Sequence, residues 1–68
     1  MFENQIKFAE QLKAQYGTAL LSKVQAAKEL SVSRATIDNM RLSGEIKSTK
    51  VGSQVRISVK EIARIVMK

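Results

Sequence analysis

A chain of 68 residues, 44% of them hydrophobic, has room for one domain with one small core, and its composition is that of a folded protein rather than a disordered tail. Cysteine and histidine are both absent, which removes disulfides, zinc sites with sulfur or imidazole ligands, thiol nucleophiles and imidazole bases together. Net charge is +6 and its whole excess lies in residues 22–68, since Lys7 and Lys13 are balanced by Glu3 and Glu10; the asymmetry suits either a polyanionic partner such as nucleic acid or a basic surface kept for solubility.

Residues 2–16 place Phe2, Ile6, Ala9, Leu12 and Tyr16 at helical spacing, which predicts an amphipathic helix stopped by Gly17. All three aromatic residues, Phe2, Phe8 and Tyr16, fall in this segment, so it should supply much of the buried area. Its apolar face has two uses open to it: packing on its own domain, or forming a seam with another chain.

A second helix begins at the capping pattern Ser22-x-x-Gln25 and runs to about Leu30. Ser31-Val32-Ser33 is a short turn, with Ser33 placed to cap a third helix from Arg34 to Ser43, closed by Gly44. Ala26, Ala27 and Leu30, then Val32, then Ile37 and Met40 form the shared apolar side, and the two alanines let the helix axes approach closely. Two short helices joined in this way read as a helix-turn-helix.

From Ile46 the texture becomes that of a β-hairpin, Ser48 to Val51 and Gln54 to Ile57 around Gly52-Ser53. A loop of Gly52, Ser53 and Gln54 would oppose Val51 to Val55 and Thr49 to Ile57 on the core side, with Lys50 opposite Arg56 on the outer side. That register is the expectation. Ser58-x-x-Glu61 is a second capping box, opening a last helix with Ile62, Ile65 and Val66 as its buried stripe. The fold class is therefore mainly α with a small β-hairpin: a winged helix-turn-helix with an additional N-terminal helix, residues 1–68 forming one domain with 1–17 accessory and 20–67 the DNA-binding core.

Residues 20–67 resemble the excisionase-like DNA-binding modules related to the MerR-type winged helix. The resemblance rests on Leu20-Leu21-Ser22, Ala26-Ala27-x-x-Leu30, Val32-Ser33-Arg34-x-Thr36-Ile37, Ser43-Gly44-Glu45-Ile46, Val51-Gly52 and Arg56-Ile57, in that order and spacing. It covers about two-thirds of the chain. It implies that the second helix of the pair enters the major groove and that the hairpin touches the adjacent backbone or minor groove. Two positions depart from the pattern: Ser31 stands where glycine is common, so a left-handed backbone there would cost on the order of 1 kcal/mol, and Leu42 replaces a polar or basic residue.

On a helix starting after Ser33, Ile37 and Met40 face inward, which leaves Arg34, Ala35, Asp38, Asn39 and Leu42 on or near the outer side. Arg34 and Asn39 are the expected base readers, by bidentate contacts to guanine and adenine respectively. Ser33 and Thr36 are placed to reach phosphate at the helix start, while Arg41, Lys50, Ser53, Gln54 and Arg56 complete the expected contacts. The alternative for this helix face is a salt ladder of Arg34, Asp38, Arg41 and Glu45, with Asp38 orienting Arg34; for the hairpin it is a solvated strand face.

The longest apolar runs, such as Ala19-Leu20-Leu21, are far too short to span a membrane. The expectation is a cytoplasmic, non-enzymatic protein that needs no cofactor or metal, takes no small-molecule ligand and has no membrane partner. Its partner is double-stranded DNA, and the resemblance adds a recombinase or further copies of itself on the DNA. A transcriptional regulator on the same fold, a protein-interaction module using the N-terminal helix, and an RNA-binding domain or orphan enzyme are the competing readings; against RNA, the aromatics lie on one amphipathic helix.

Overall fold

A computed structural model describes residues 2–67. The elements follow one another as α1 (Phe2–Tyr16), β1 (Leu20–Leu21), α2 (Lys23–Leu30), α3 (Arg34–Ser43), β2 (Thr49–Val51), β3 (Gln54–Ser58) and α4 (Val59–Val66). The winged helix-turn-helix expected from the sequence is present, and one element was not foreseen. Leu20 and Leu21 form a third strand, antiparallel to β3, so the sheet order is β1-β3-β2 with β3 in the middle. Its hydrogen bonding extends through the Val59 N–H donating to the Ala19 carbonyl at 2.9 Å. Two residues of strand carry too little pattern to be read in advance.

The core is wholly aliphatic. Leu21, Ile37, Ile46, Ile57 and Ile62 are its largest fully buried side chains, with Ala9, Leu12, Ala26, Ala27, Val59 and Ala63 beside them. One residue or more from every element except β2 joins this cluster, and no polar side chain is buried among the described residues. With so few large groups, each carries a sizeable share of the stability of a small domain.

The turn between α2 and α3 is closed by backbone. Ser31 adopts φ 57° and ψ 43°, the left-handed conformation, with its N–H donating to the Lys28 carbonyl at 3.2 Å while the Val32 N–H donates to the Ala27 carbonyl at 2.9 Å. These are the paired bonds of a Schellman ending, and they turn Val32 in against the core. Ser31 is the only described non-glycine residue with positive φ, so the strain anticipated from its replacing glycine is present. Upstream, Ser22 and Gln25 form the complete capping box, the Ser22 oxygen accepting from the Gln25 N–H at 3.1 Å and the Gln25 amide oxygen accepting from the Ser22 N–H at 2.9 Å.

In the hairpin and α4, three expectations need correction. Gly52 and Ser53 alone form the hairpin loop, pairing Thr49 with Arg56, Lys50 with Val55 and Val51 with Gln54. Gly52 takes φ 65° while Ser53 does not take positive φ, the pattern of a type II′ turn with glycine in first place. A three-residue loop would turn Val51 toward the core, but Val51 is 52% exposed: the hairpin tip projects past the core, so turn chemistry rather than burial sets the register there. In α4, Ser58 caps the Glu61 N–H at 3.2 Å, yet the Glu61 carboxylate turns away to other partners and the reciprocal half of the box is missing. The buried stripe of α4 is Val59, Ile62 and Ala63, with Ile65 partly covered and Val66 exposed.

The N-terminal helix α1 lies against α4. Ala9 and Leu12 are buried, Phe8 and Tyr16 pack on the same core, and Ile6 is 59% exposed, so the seated stripe is rotated from the one read in the sequence. The Phe2 side chain lies outside the described residues. Tyr16 also donates its hydroxyl to Glu29 Oε2, tying α1 to α2, and that bond raises the phenol pKa above its ordinary value.

Replacing Ile37 by Ala should lower unfolding free energy by about 2–5 kcal/mol, enough to leave so small a domain largely unfolded. Ser31→Gly should act the other way, raising stability by up to about 1 kcal/mol as the left-handed strain is relieved. Urea unfolding of the two variants beside the parent chain checks both.

Candidate nucleic-acid interface

α3 begins where the Ser33 oxygen accepts the Thr36 N–H at 3.1 Å, and ends where Gly44, at φ 83°, donates to the Arg41 carbonyl at 3.2 Å. The chain then folds back so that the Ile46 N–H reaches the Met40 carbonyl at 3.2 Å, burying Ile46 under the helix end. With Ile37 buried and Met40 partly so, Ala35 and Asn39 are exposed on the opposite side, Arg34 is exposed on the flank at the helix start, and Leu42 is 87% exposed. Four of the five positions expected on or near the outer side are thus exposed, and the fifth, Asp38, is half-buried.

The Ser33 and Thr36 hydroxyls stand 3.0 Å apart and share one hydrogen bond. A hydroxyl has a single proton, so one of the two remains able to donate to an outside acceptor. The helix start thus offers one free hydroxyl proton from the pair, with the Ser33 oxygen already accepting in the cap.

The charged groups are arranged differently from a ladder along α3. Asp38 accepts from Lys23 Nζ at 3.2 Å and from Arg41 Nη1 at 2.9 Å, so it joins α3 to α2 and leaves Arg34 alone. The Lys23 bond and then the Arg41 bond hold the Asp38 carboxyl below its ordinary pKa. Arg41 Nε donates to Ser48 Oγ at 3.1 Å, which carries the chain of contacts on to the segment leading into β2. Arg41 is thus half-buried in a network, whereas Arg34 has no ion-pair or hydrogen-bonding partner among the described residues. No spacing rule could reveal the Lys23–Asp38 pair, because its members sit on different helices.

A second polar cluster holds the loop between α3 and the hairpin. Glu61 Oε1 accepts from the Lys47 N–H at 3.0 Å and from Arg64 Nη2 at 2.9 Å, and Arg64 Nη2 also donates to the Glu45 carbonyl at 2.8 Å. Arg64 first, and the Lys47 N–H after it, hold the Glu61 carboxyl below its usual range. This is why Glu61 does not complete the capping box of its own helix. The hairpin is consequently staked to α4 at its base.

On the hairpin itself, Lys50, Ser53 and Gln54 are exposed and Arg56 is half-buried. The two-residue loop sets Lys50 on the same side as Val55 and Arg56 on the other, with Thr49, Val51 and Gln54. Lys50 and Arg56 therefore lie on opposite faces rather than together on the outer one. Arg56 donates to Gln54 Oε1 and, at 3.2 Å, to the Val55 carbonyl, so it is held along its own strand near the tip. Among the described residues, Arg34, Lys47, Lys50 and Arg56 form no ion pair with a carboxylate.

The deciding comparison is with protein families: a family model described as a helix-turn-helix domain matches residues 20–68. The chain belongs to this excisionase-like helix-turn-helix family. The match begins at β1 and takes in the whole hairpin and α4, leaving α1 outside it. No curated protein and no solved structure matches the chain. Helix-turn-helix domains bind DNA with the second helix of the pair, which here is α3. No described helix is long and apolar enough to cross a membrane.

The depressed carboxyls have a consequence for acid stability. A carboxyl whose folded pKa lies below its unfolded one stabilises the fold fully above the unfolded value, and that contribution disappears as pH falls through the folded value. Asp38 and Glu61 both have this sign. The melting temperature should therefore fall below about pH 4, and the Asp38→Asn, Glu61→Gln double variant should start lower at neutral pH and fall less over the same interval. Melting curves taken by circular dichroism across that range check it.

Proposed function

We propose that this helix-turn-helix protein binds double-stranded DNA sequence-specifically, with α3 in the major groove and the β2-β3 hairpin on the neighbouring backbone or minor groove. The observation that carries the reading is that Arg34, at the start of α3, and Asn39, on its outer side, are exposed and outside the internal ion pairs while Asp38 is drawn off by Lys23 and Arg41. An aspartate facing outward would repel phosphate; one bound to two cations does so far less. Arg34 and Asn39 read base edges, the guanidinium suited to guanine O6 and N7 and the amide to adenine N6 and N7.

The remaining contacts position rather than specify. Ser33 and Thr36 meet phosphate at the start of α3, and Arg41 adds charge from within its network. Lys50 and Arg56 lie on opposite faces of the hairpin, so a wing approaching tip first, through Ser53 and Gln54, places one cation on each side of its contact. No step of this function requires catalysis or a cofactor.

A single module of this size covers roughly 600–1,000 Å² of its surface on DNA and binds modestly alone. Several copies on adjacent sites, or a recombinase bound beside it, would supply the rest. The role we propose is accordingly that of an excisionase-type architectural factor in DNA recombination, acting in the cytoplasm. A small transcriptional regulator would use the same contacts; an integrase reading frame next to the coding sequence favours the first role.

Asn39→Ala should relax preference at one base pair, by about 1–3 kcal/mol of discrimination, in binding to a full set of single-base variants of a selected site. Unchanged preferences at every position would remove Asn39 from the reading. For four phosphate contacts the log–log dependence of affinity on salt should have a slope of about −3 to −4. Fluorescence anisotropy titrations over a salt series measure it, and a slope near zero contradicts groove binding.

A further inference from the structure

The most exposed large apolar side chain on the described surface is Leu42, at 87%, and it sits on α3. A single exposed leucine means little by itself. Its position is what sets it apart. Leu42 follows Ala35 and Asn39 at spacings i, i+4 and i+7, which is one stripe along a helix, and that stripe is opposite the buried Ile37. The same outward line therefore carries an apolar group, an amide and a second apolar group. Ile6, Val24, Val51 and Val66, the other exposed large apolar residues, lie on elements other than α3.

Resting on the DNA-binding reading above, we propose that Leu42 is a specificity-determining residue that packs on the C5 methyl group of a thymine in the major groove, so that the preferred site carries an A·T pair beneath the end of α3. The chemistry of the stripe supports it. In the major groove the thymine methyl is the one apolar feature that distinguishes a base pair, and an amide in the same row is the side chain suited to adenine. From Ala35 to Leu42 the helix rises about 10.5 Å, which is about three base-pair steps at 3.4 Å each. Asn39 and Leu42, about 4.5 Å apart along the axis, thus address adjacent pairs. Arg34, without a carboxylate partner, and the Ser33–Thr36 hydroxyl pair, near the opposite end of the helix, supply the polar contacts that hold the row in register. Leu42 itself forms no part of the core, so exchanging it changes the outer surface and leaves the packing intact.

The test uses the full chain and duplexes that it selects from a random pool. Each thymine of the selected site is replaced singly by deoxyuridine, which removes the methyl and keeps the pairing. One replacement should weaken the parent protein about 3- to 5-fold, the effect of one buried methyl, and the same replacement should leave Leu42→Ala unaffected. The variant should melt with the parent, and Asn39→Ala should keep the thymine sensitivity. Equal binding of every uracil duplex by the parent, or undiminished sensitivity in Leu42→Ala, overturns the proposal while the DNA-binding reading stands. So does a Leu42→Ala protein that loses only cooperative binding to tandem sites, which would make Leu42 a contact between copies. If the parent binds no duplex at low salt, the DNA-binding reading fails and the proposal with it.

Discussion

A helix can offer its outer side chains to a partner only if its inner ones hold it still, and α3 is held chiefly by Ile37, buried with Ala26 and Ala27 of α2 in the same core. The small side chains on α2 matter as much as the large one on α3, because they leave room for the second helix to lie close. The turn between the helices then has no slack. Ser31 adopts an unfavourable backbone conformation there, and the two backbone bonds around it, together with the inward turn of Val32, keep it in place. A strained residue persists only where its surroundings over-determine it.

Polar contacts continue what packing begins. The core contains no charge, so the ion pairs are confined to its rim, where their worth as stabilisers is small and their effect on orientation is larger. Lys23, Asp38 and Arg41 connect α2, α3 and, through Ser48, the approach to the hairpin. Glu61 and Arg64 fasten the other side of that approach to α4. The division of labour leaves Arg34 and Asn39 outside both networks.

The local signals were legible and the long-range ones were not. Ser22, Ser33 and Ser58 marked the helix starts because a capping hydroxyl acts within three residues, and Gly17 and Gly44 marked ends because their backbone conformation excludes most other residues. The order of helices and hairpin followed. What failed depended on contacts between distant segments: Leu20-Leu21 becomes a strand only because β3 lies beside it, and Asp38 chooses Lys23 over Arg34 across two helices. The hairpin register failed for a different reason. Pairing Val51 with Val55 assumed a core beneath the tip, and at an exposed tip the conformational demand of Gly52-Ser53 decides instead. Within the candidate site, the exposed positions on α3 were readable from Ile37 and Met40, while the opposed placement of Lys50 and Arg56 was not.

The stake that Glu61 and Arg64 drive through the loop at Glu45 and Lys47 ties the end of α3 and the base of the hairpin to one helix, α4. In the proposed complex, with α3 and the hairpin both on one duplex, the spacing between them would be set by the protein's own scaffold. A mismatch would be absorbed by the duplex rather than by the hairpin, and the duplex's stiffness would become one of the properties being measured.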